Sequence, residues 1–131
     1  MRLSDILERK GHQVHTASPE ETVMDAVHKL VAHNIGALAV VDSAGKLVGV
    51  ISDGDLRRWM ERTEKTGENL LAKKAKDIMT KNPKVTNREA LAAEAVAIME
   101  RNSITCLIVT DPDAKPEGVI HLHDLLKAGV V

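Results

Sequence analysis

The chain contains two copies of one sequence pattern, separated by a constant offset of 69 positions. Gly49-Val50-Ile51 aligns with Gly118-Val119-Ile120, and Asp55 aligns with Asp124. Solenoid repeats have periods of about 20–50 residues, so this longer period predicts two copies that form one domain. We therefore expect internal pseudo-twofold symmetry, with two related clefts in which function can reside.

The composition limits the classes of function. A chain of 131 residues is long enough for one domain with a buried core. Trp59 is the only residue among Phe, Tyr and Trp, so the aromatic stacking surfaces that bind single-stranded nucleic acid are excluded. The net charge of −1 gives no general attraction to nucleic acid or to an anionic membrane. The single Cys106 cannot form an internal disulfide, which is compatible with a cytoplasmic protein.

Hydrophobic periodicity and turn residues predict the order β-α-β-β-α in each copy, an α/β fold. Strands are predicted over residues 14–17, 37–41, 47–51, 84–86, 105–109 and 118–122. Helices are predicted over residues 6–10, 19–33, 53–62, 88–101 and 124–128. No apolar run approaches the roughly 18 residues of a membrane-spanning helix. We expect a first repeat over 1–62, a linker over 63–74 and a second repeat over 75–131, which together form one compact module.

The two long helices carry the apolar stripes of the predicted core. Ser18 and Pro19 favour the start of the first long helix, and Asn87 favours the start of the second. The residues expected to face inward are Val23, Val27, Leu30, Val31, Leu91, Ala95, Ile98 and Met99.

The segment from Gly49 to Asp55 carries the strongest functional signal, because a strand ends there and a helix begins. A helix N-terminus offers unpaired N–H groups to an anion, and the Ser52 hydroxyl can add a donor. The Asp55 carboxylate presents two adjacent acceptors, which suit the cis-diol of a ribose. In the second copy, His121 and Asp124 take these places. Helix capping is the alternative interpretation, but the duplication at a fixed offset favours binding.

The chain resembles a tandem pair of CBS domains (cystathionine-β-synthase-type repeats), the two-repeat unit called a Bateman module. The resemblance is carried by Asp77-Ile78-Met79-Thr80, by residues 34–42 and by Gly49–Leu56, with their duplicates in order. The stretch from Gly118 to the end is similar to the regulatory tail of bacterial arabinose-5-phosphate isomerases, without their sugar-binding domain. The methionine at position 1 favours a stand-alone pair over a piece of such an enzyme.

This resemblance implies a regulatory module without catalysis, which binds AMP, ADP, ATP or S-adenosylmethionine and requires no cofactor. It places the ligands in clefts shared between the repeats. One cleft comprises Ser52, Asp55, Lys84, Ile104, Thr105 and Cys106. The other comprises His121, Asp124, His15, Ile35, Gly36 and Ala37. Candidate phosphate contacts are Arg57, Arg58 and Lys127, although each also fits a solvated helix face.

His121 departs from the Ser or Thr usual in the family, so the Ser52 cleft matches the pattern better. An imidazole there favours a different ligand or pH-dependent binding. The resemblance further implies a homodimer and a regulated enzyme or transporter as partner. Two alternatives stay open: a sensor of a sugar nucleotide or sugar phosphate, and an assembly or metal-handling module that binds no ligand. The metal candidates, His121-Leu122-His123 and Asp53-Gly54-Asp55, are weak, and we expect no metal site.

Overall fold

The computed structural model of the chain describes residues 1–130 and contains two small mixed β-sheets, each in its own compact unit. The central unit is formed by His15–Pro83. The terminal unit is formed by Met1–Val14 together with the chain from Lys84 onward. Within residues 1–130, no helix is both long enough and apolar enough to cross a bilayer.

The elements follow the predicted α/β order, with a short helix and a short strand, Ala75–Ile78 and Thr80–Lys81, that were not predicted. The helices are α1 (Leu3–Lys10), α2 (Val23–His33), α3 (Asp53–Thr66), α4 (Ala75–Ile78), α5 (Ala92–Asn102) and α6 (Leu122–Lys127). The strands are β1 (Thr16–Ala17), β2 (Ala37–Val41), β3 (Leu47–Ser52), β4 (Thr80–Lys81), β5 (Val85–Thr86), β6 (Cys106–Thr110) and β7 (Pro116–His121). A 3-10 turn lies at Leu70–Ala72.

The two sheets repeat one topology. In the central unit the strand order is β1-β2-β3-β4, with β1 parallel to β2 and the other pairs antiparallel. In the terminal unit the order is β5-β6-β7, again with a parallel pair followed by an antiparallel pair. Ala37 lies opposite Ser52, and Cys106 lies opposite His121, at the same register position. The duplicated sequence therefore produces duplicated strand pairing.

Each unit has an aliphatic core, as expected of a chain without Phe or Tyr. The central core contains the buried residues Ala17, Val23, Ala26, Leu30, Leu38, Val40, Ile51, Leu70, Ala75 and Ile78. The terminal core contains Leu3, Ile6, Leu7, Ala90, Ala92, Ala95, Met99, Leu107, Val109, Ile120 and Leu125. In each unit the core packs the sheet against one face of a helix, α2 in the central unit and α5 in the terminal unit. This packing fixes the position of the strand that leads to the site.

The short helices α1 and α4 occupy equivalent places in the two units. The Leu3 amide donates to the Ala90 carbonyl oxygen at 2.9 Å, and the Ala75 amide donates to the Glu21 carbonyl oxygen at 2.7 Å. Helix α1 thus packs within the unit that holds the second repeat, and α4 packs within the unit that holds most of the first. The compact units therefore do not follow the boundaries predicted for the sequence repeat at residues 62 and 75.

Both long helices begin later than predicted. The Ser18 carbonyl oxygen accepts from the Glu21 amide at 3.2 Å, which makes a turn where a helix was expected. Helix α2 begins at Val23 because Thr22 caps it, its Oγ1 accepting from the Asp25 amide at 3.1 Å. The Asn87 carbonyl oxygen likewise accepts from the Ala90 amide in a turn, and α5 starts at Ala92. The predictions at Pro19 and Arg88 were therefore wrong by about one helical turn.

The predicted inward-facing residues are only partly those that the structure buries. Val31 was predicted to be buried but is 75% exposed, and Leu91 is 43% exposed. Ala26 and Ala92, which the stripe prediction omitted, are buried instead. Helix α3 extends past the predicted end near Arg62 to Thr66. In this last part of α3, Thr63 is buried and donates its hydroxyl to the Trp59 carbonyl oxygen at 2.8 Å.

Candidate functional site

In each unit the third strand, β3 or β7, leads directly into a helix, and the predicted site residues lie at this junction. The central junction is Ser52–Asp55, where β3 ends and α3 begins. The terminal junction is His121–Asp124, where β7 ends and α6 begins. A backbone hydrogen bond joins each junction to the residue just before the neighbouring strand, β2 or β6. The Asp53 amide donates to the Gly36 carbonyl oxygen at 3.1 Å, and the Leu122 amide donates to the Thr105 carbonyl oxygen at 2.8 Å.

At the central junction, Asp55 is buried and accepts four hydrogen bonds. Its Oδ2 accepts from the Ser52 amide at 2.9 Å and from the Ser52 hydroxyl at 3.0 Å. Its Oδ1 accepts from Arg58 Nη2 at 2.7 Å and from Thr80 Oγ1 at 2.8 Å. Since a carboxylate offers about four lone-pair positions, protein groups fill all the acceptor capacity of Asp55.

At the terminal junction, Asp124 caps its helix in the same way but with fewer partners. Its Oδ2 accepts from the His121 amide and from Lys10 Nζ, each at 2.8 Å. Both hydrogen bonds that Asp124 accepts within residues 1–130 go to Oδ2, which leaves Oδ1 open. The side chain is 17% exposed, against 6% for Asp55, so Oδ1 can be reached from solvent. The two duplicated carboxylates are therefore not equivalent.

Two opposing effects set the pKa of Asp124. Burial alone raises the pKa of this carboxyl group, because it disfavours the charged form. The hydrogen bonds from the Lys10 ammonium and the His121 amide outweigh burial, and the pKa lies below its usual value. Asp124 is therefore an ionised acceptor at neutral pH.

Lys10 also anchors the α1 end of the terminal unit. Its ammonium group donates to the Val119 carbonyl oxygen at 2.8 Å as well as to Asp124.

The Cys106 side chain is half-buried on the neighbouring strand, opposite His121. Burial raises the pKa of the Cys106 thiol to about 11, although Lys10 acts in the opposite direction. Cys106 is therefore a neutral thiol beside a charged pair.

Three other residues of the predicted clefts, Ile104, Thr105 and Lys84, belong to the terminal unit. Ile104 is half-buried and packs on the core, whereas Thr105 and Lys84 are exposed. The structure thus brings Ile104, Thr105 and Cys106 beside His121 and Asp124, the pair from their own repeat.

In the central unit, Gly36 and Ala37 lie beside Ser52 in the same way. Ile35 is half-buried and packs on the central core. A side chain at position 36 would place its Cβ 3.3 Å from Asp53 Oδ2, so the Asp53 side chain would have to shift slightly. The predicted groupings of Ser52 with Ile104, and of His121 with Ile35, join residues of different units and stay predictions.

His15 takes part in a contact that its sequence position did not reveal. Its ring stacks on the ring of His33, with centroids 3.5 Å apart and planes 12° apart. Burial lowers the pKa of His15, and the nearby His33 lowers it further. His15 is therefore held as a neutral ring at the start of β1 at neutral pH.

The three candidate phosphate contacts differ in their surroundings. Arg57 and Lys127 are exposed on their helices. Arg58 instead folds back toward the helix start and contacts Asp55. The sequence analysis missed two other groups that contact the carboxylates, Lys10 and Thr80. Both belong to segments distant in the sequence from the junction, and only the packing of α1 and α4 brings them there.

Neither metal candidate acquires a ligand set in the structure. Within residues 1–130, no three or more His, Cys, Asp and Glu side chains are grouped to hold a metal ion. At the terminal junction, Nδ1 of His121 accepts from the His123 amide at 3.1 Å, which commits one of its two ring nitrogens.

The duplicated junctions and sheets can now be compared with known proteins. The sequence profile of the CBS domain family matches residues 3–62 and 75–131. The chain belongs to the CBS-domain family. It is a tandem CBS pair, and CBS pairs are regulatory modules.

The relatives of this CBS pair include enzymes that carry such a pair as one part. The chain is 41% identical over 106 residues to the arabinose 5-phosphate isomerase KdsD of Pseudomonas aeruginosa, a match that covers 81% of this chain and 31% of that enzyme. The chain spans about a third of the length of the arabinose 5-phosphate isomerases that it matches.

Two solved CBS pairs with bound ligands have the same fold. The CBS pair of protein MJ0100, in complex with 5'-methylthioadenosine and S-adenosyl-L-methionine, has a TM-score of 0.85 and 25% identity, with 98% of this chain and 95% of that chain covered. CBSX2 in complex with AMP has a TM-score of 0.81 and 26% identity, with 98% and 96% covered. The ligands named for both proteins contain adenosine or a derivative of it.

Proposed function

We propose that this CBS pair binds an adenine nucleotide as its regulatory ligand, and that Asp124 accepts hydrogen bonds from the ribose hydroxyls. The observation that carries this proposal is the open Oδ1 atom of a partly exposed, ionised carboxylate at a strand–helix junction. Hydrogen bonds to a charged acceptor are stronger than those between neutral groups. Asp124 is thus prepared to bind a hydroxyl without giving up a partner.

The surroundings of Asp124 support a nucleotide rather than an uncharged sugar. The Lys10 ammonium at 2.8 Å is partly exposed and supplies a positive charge within reach of a phosphate. The AMP, S-adenosylmethionine and methylthioadenosine named for the two similar structures support an adenine ligand. The ligand set proposed here is AMP, ADP, ATP or S-adenosylmethionine, with no cofactor required.

The central junction is proposed as the weaker of the two sites. Its carboxylate has no open acceptor position, so a ribose hydroxyl has to displace Arg58 or Thr80 from Asp55. This order is the reverse of the one expected from sequence, where the Ser52 cleft matched the family pattern better. His121 does not disfavour the terminal junction in this proposal, because its amide, rather than its ring, contacts Asp124.

Isothermal titration calorimetry with AMP, ADP, ATP and S-adenosylmethionine tests the proposal. We expect at least one of these ligands to bind the wild-type protein, and Asp124→Asn to weaken that binding about tenfold or more. Asp113→Asn is a matched control, because it removes the same charge from an exposed residue in the turn before β7. The proposal fails if no adenine ligand binds, or if both variants bind as the wild type does.

A second candidate function is the sensing of a sugar phosphate or a sugar nucleotide. The 41% identity to an arabinose 5-phosphate isomerase favours it, since a regulatory part can respond to a metabolite of its own enzyme. The same acceptor and ammonium group suit a sugar phosphate. Titration with arabinose 5-phosphate and with a sugar nucleotide separates the two candidates, because tight binding of only these compounds would replace the adenine assignment. Binding of no compound would leave an assembly or metal-handling role.

The proposal includes a homodimer whose arrangement the ligand biases, and a regulated enzyme or transporter that responds to it. A ligand shifts such an equilibrium only by its difference in affinity for the two states. Light scattering with and without the bound nucleotide tests this part. We expect a mass of twice 14.2 kDa, and a monomer would overturn the dimer.

A further inference from the structure

Arg58 is the group that separates the central junction from the terminal one. Its Nη2 lies 2.7 Å from Asp55 Oδ1, although its side chain is 68% exposed and Asp55 is buried. A mostly solvated arginine thus fills the acceptor position on the solvent side of the carboxylate.

The absence of a side chain at Gly54 leaves room for the Arg58 guanidinium group. A Cβ atom at position 54 would lie 3.3 Å from Nη1 of Arg58 and 3.6 Å from the Ser52 hydroxyl. The guanidinium group therefore lies against the backbone of Gly54, at the first turn of α3. A larger residue there would push it away from Asp55.

The terminal junction has neither a glycine nor an arginine at the corresponding positions. At the offset of 69, His123 stands where Gly54 stands, and Lys127 stands where Arg58 stands. Asp124 is contacted by Lys10 from helix α1, and this contact leaves its Oδ1 open. The two copies have therefore diverged at the position that controls access to the carboxylate.

We infer that Arg58 makes the central junction selective for phosphorylated nucleosides, an inference that rests on the proposed function. In the free protein the guanidinium occupies Asp55. A bound nucleotide replaces it with a ribose hydroxyl, and the guanidinium then pairs with the phosphate. A nucleoside without phosphate has to displace Arg58 and offers it no new partner.

The chemistry of arginine suits this exchange. Arg58 is mostly exposed, so its guanidinium group can move into solvent, whereas the buried Asp55 carboxylate needs a replacement donor, which the ribose hydroxyl supplies. A guanidinium group binds phosphate through two parallel hydrogen bonds, which a single carboxylate oxygen does not match. Thr80 keeps its hydrogen bond to Oδ1, so the carboxylate stays in place during the exchange.

The test compares AMP with adenosine by calorimetry in an Asp124→Asn protein, in which the central junction is the remaining site. We expect AMP to bind at least about tenfold more tightly than adenosine. Arg58→Gln should bring the two affinities within about threefold, by strengthening adenosine binding and weakening AMP binding. Lys65→Gln removes the same charge from the exposed face of α3 and should leave the ratio unchanged. Circular dichroism verifies that the variants are folded.

The outcomes separate this inference from the proposed function. If the wild-type protein binds AMP and Arg58→Gln leaves the AMP-to-adenosine ratio unchanged, the role of Arg58 is overturned while the proposed function stands. If the Asp124→Asn protein binds neither compound although the wild type binds AMP, the central junction is not a site and the inference is wrong. If the wild type binds no adenine nucleotide, both proposals fall.

Discussion

Leu7 lies directly over Gly118, so close that a Cβ atom added at position 118 would be 2.7 Å from Cδ2 of Leu7. The same contact recurs in the central unit, where a Cβ atom at Gly49 would lie 2.5 Å from Sδ of Met79. In both units a glycine in the third strand, β3 or β7, thus lets the short helix and its end pack against the sheet. This contact helps to position Lys10 and Thr80 near the two carboxylates. Lys10 lies three residues after Leu7, and Thr80 directly follows Met79.

Gly118→Ala should therefore destabilise the protein by about 1–3 kcal/mol, because Leu7 is buried and has little room to move. Leu7→Ala alone should cost about 2–5 kcal/mol through the cavity that it leaves. The double variant should be more stable than the sum of the two losses predicts, since the new methyl group fills part of that cavity. Urea denaturation measures all three free energies of unfolding. Additivity within about 0.5 kcal/mol would contradict direct packing.

Lys10→Gln should raise the pKa of Asp124. Burial raises this pKa on its own, and the Lys10 ammonium is the first of the groups that hold it below its usual value of 3.8. Because the folded-state pKa is depressed, the Asp124 carboxylate stabilises the fold above about pH 4, and this contribution is lost as the pH falls further. An NMR titration of the carboxyl carbon gives the pKa directly. Lys10→Arg keeps the charge and serves as control, and an unchanged pKa in Lys10→Gln would rule out the pair in solution.

The Cys106 thiol should react slowly with iodoacetamide at pH 8. A pKa of about 11 instead of 9.0 lowers the thiolate fraction about a hundredfold, and the thiolate is the reactive form. The urea-unfolded protein is the matched control and should react at the rate of a free cysteine. Equal rates in the folded and unfolded protein would show that Cys106 is neither buried nor perturbed. Lys10→Gln should slow the folded protein further, because Lys10 lowers this pKa.

The order of the elements and the two junctions were predictable from sequence because they depend on local patterns. A run such as Ala37–Val41 predicts a buried strand, and a strand followed by Ser-Asp-Gly-Asp predicts a helix start. The duplication made both signals stronger. The two sheets of the structure, and the solved CBS pairs that share its fold, confirm the α/β tandem fold.

The helix starts were less predictable, since several residues compete to begin a helix. Ser18 and Pro19 fit a helix start by residue type, but Thr22 forms the cap and Ser18 forms a turn. Val31, which the apolar stripe placed inward, is on the solvent side of α2. A residue pattern alone does not decide between two adjacent caps.

The partners of the carboxylates were not predictable, because they depend on contacts between distant segments. Lys10 lies 114 positions before Asp124, and Thr80 lies 25 positions after Asp55. No sequence signal joins either pair. The sequence predicted that the two junctions differ at Ser52 and His121. It did not predict that Lys10 contacts Asp124 or that Thr80 contacts Asp55.

The most direct test of the proposed function is a calorimetric comparison of AMP with 2',3'-dideoxy-AMP on the wild-type protein. The two compounds share the base and the phosphate and differ only in the ribose hydroxyls that Asp124 is proposed to bind. Hydrogen bonds to a charged group contribute about 1.5–3 kcal/mol each, so we predict that the dideoxy compound binds more than tenfold less tightly. Equal affinity of the two compounds would contradict recognition of ribose by the junction carboxylates.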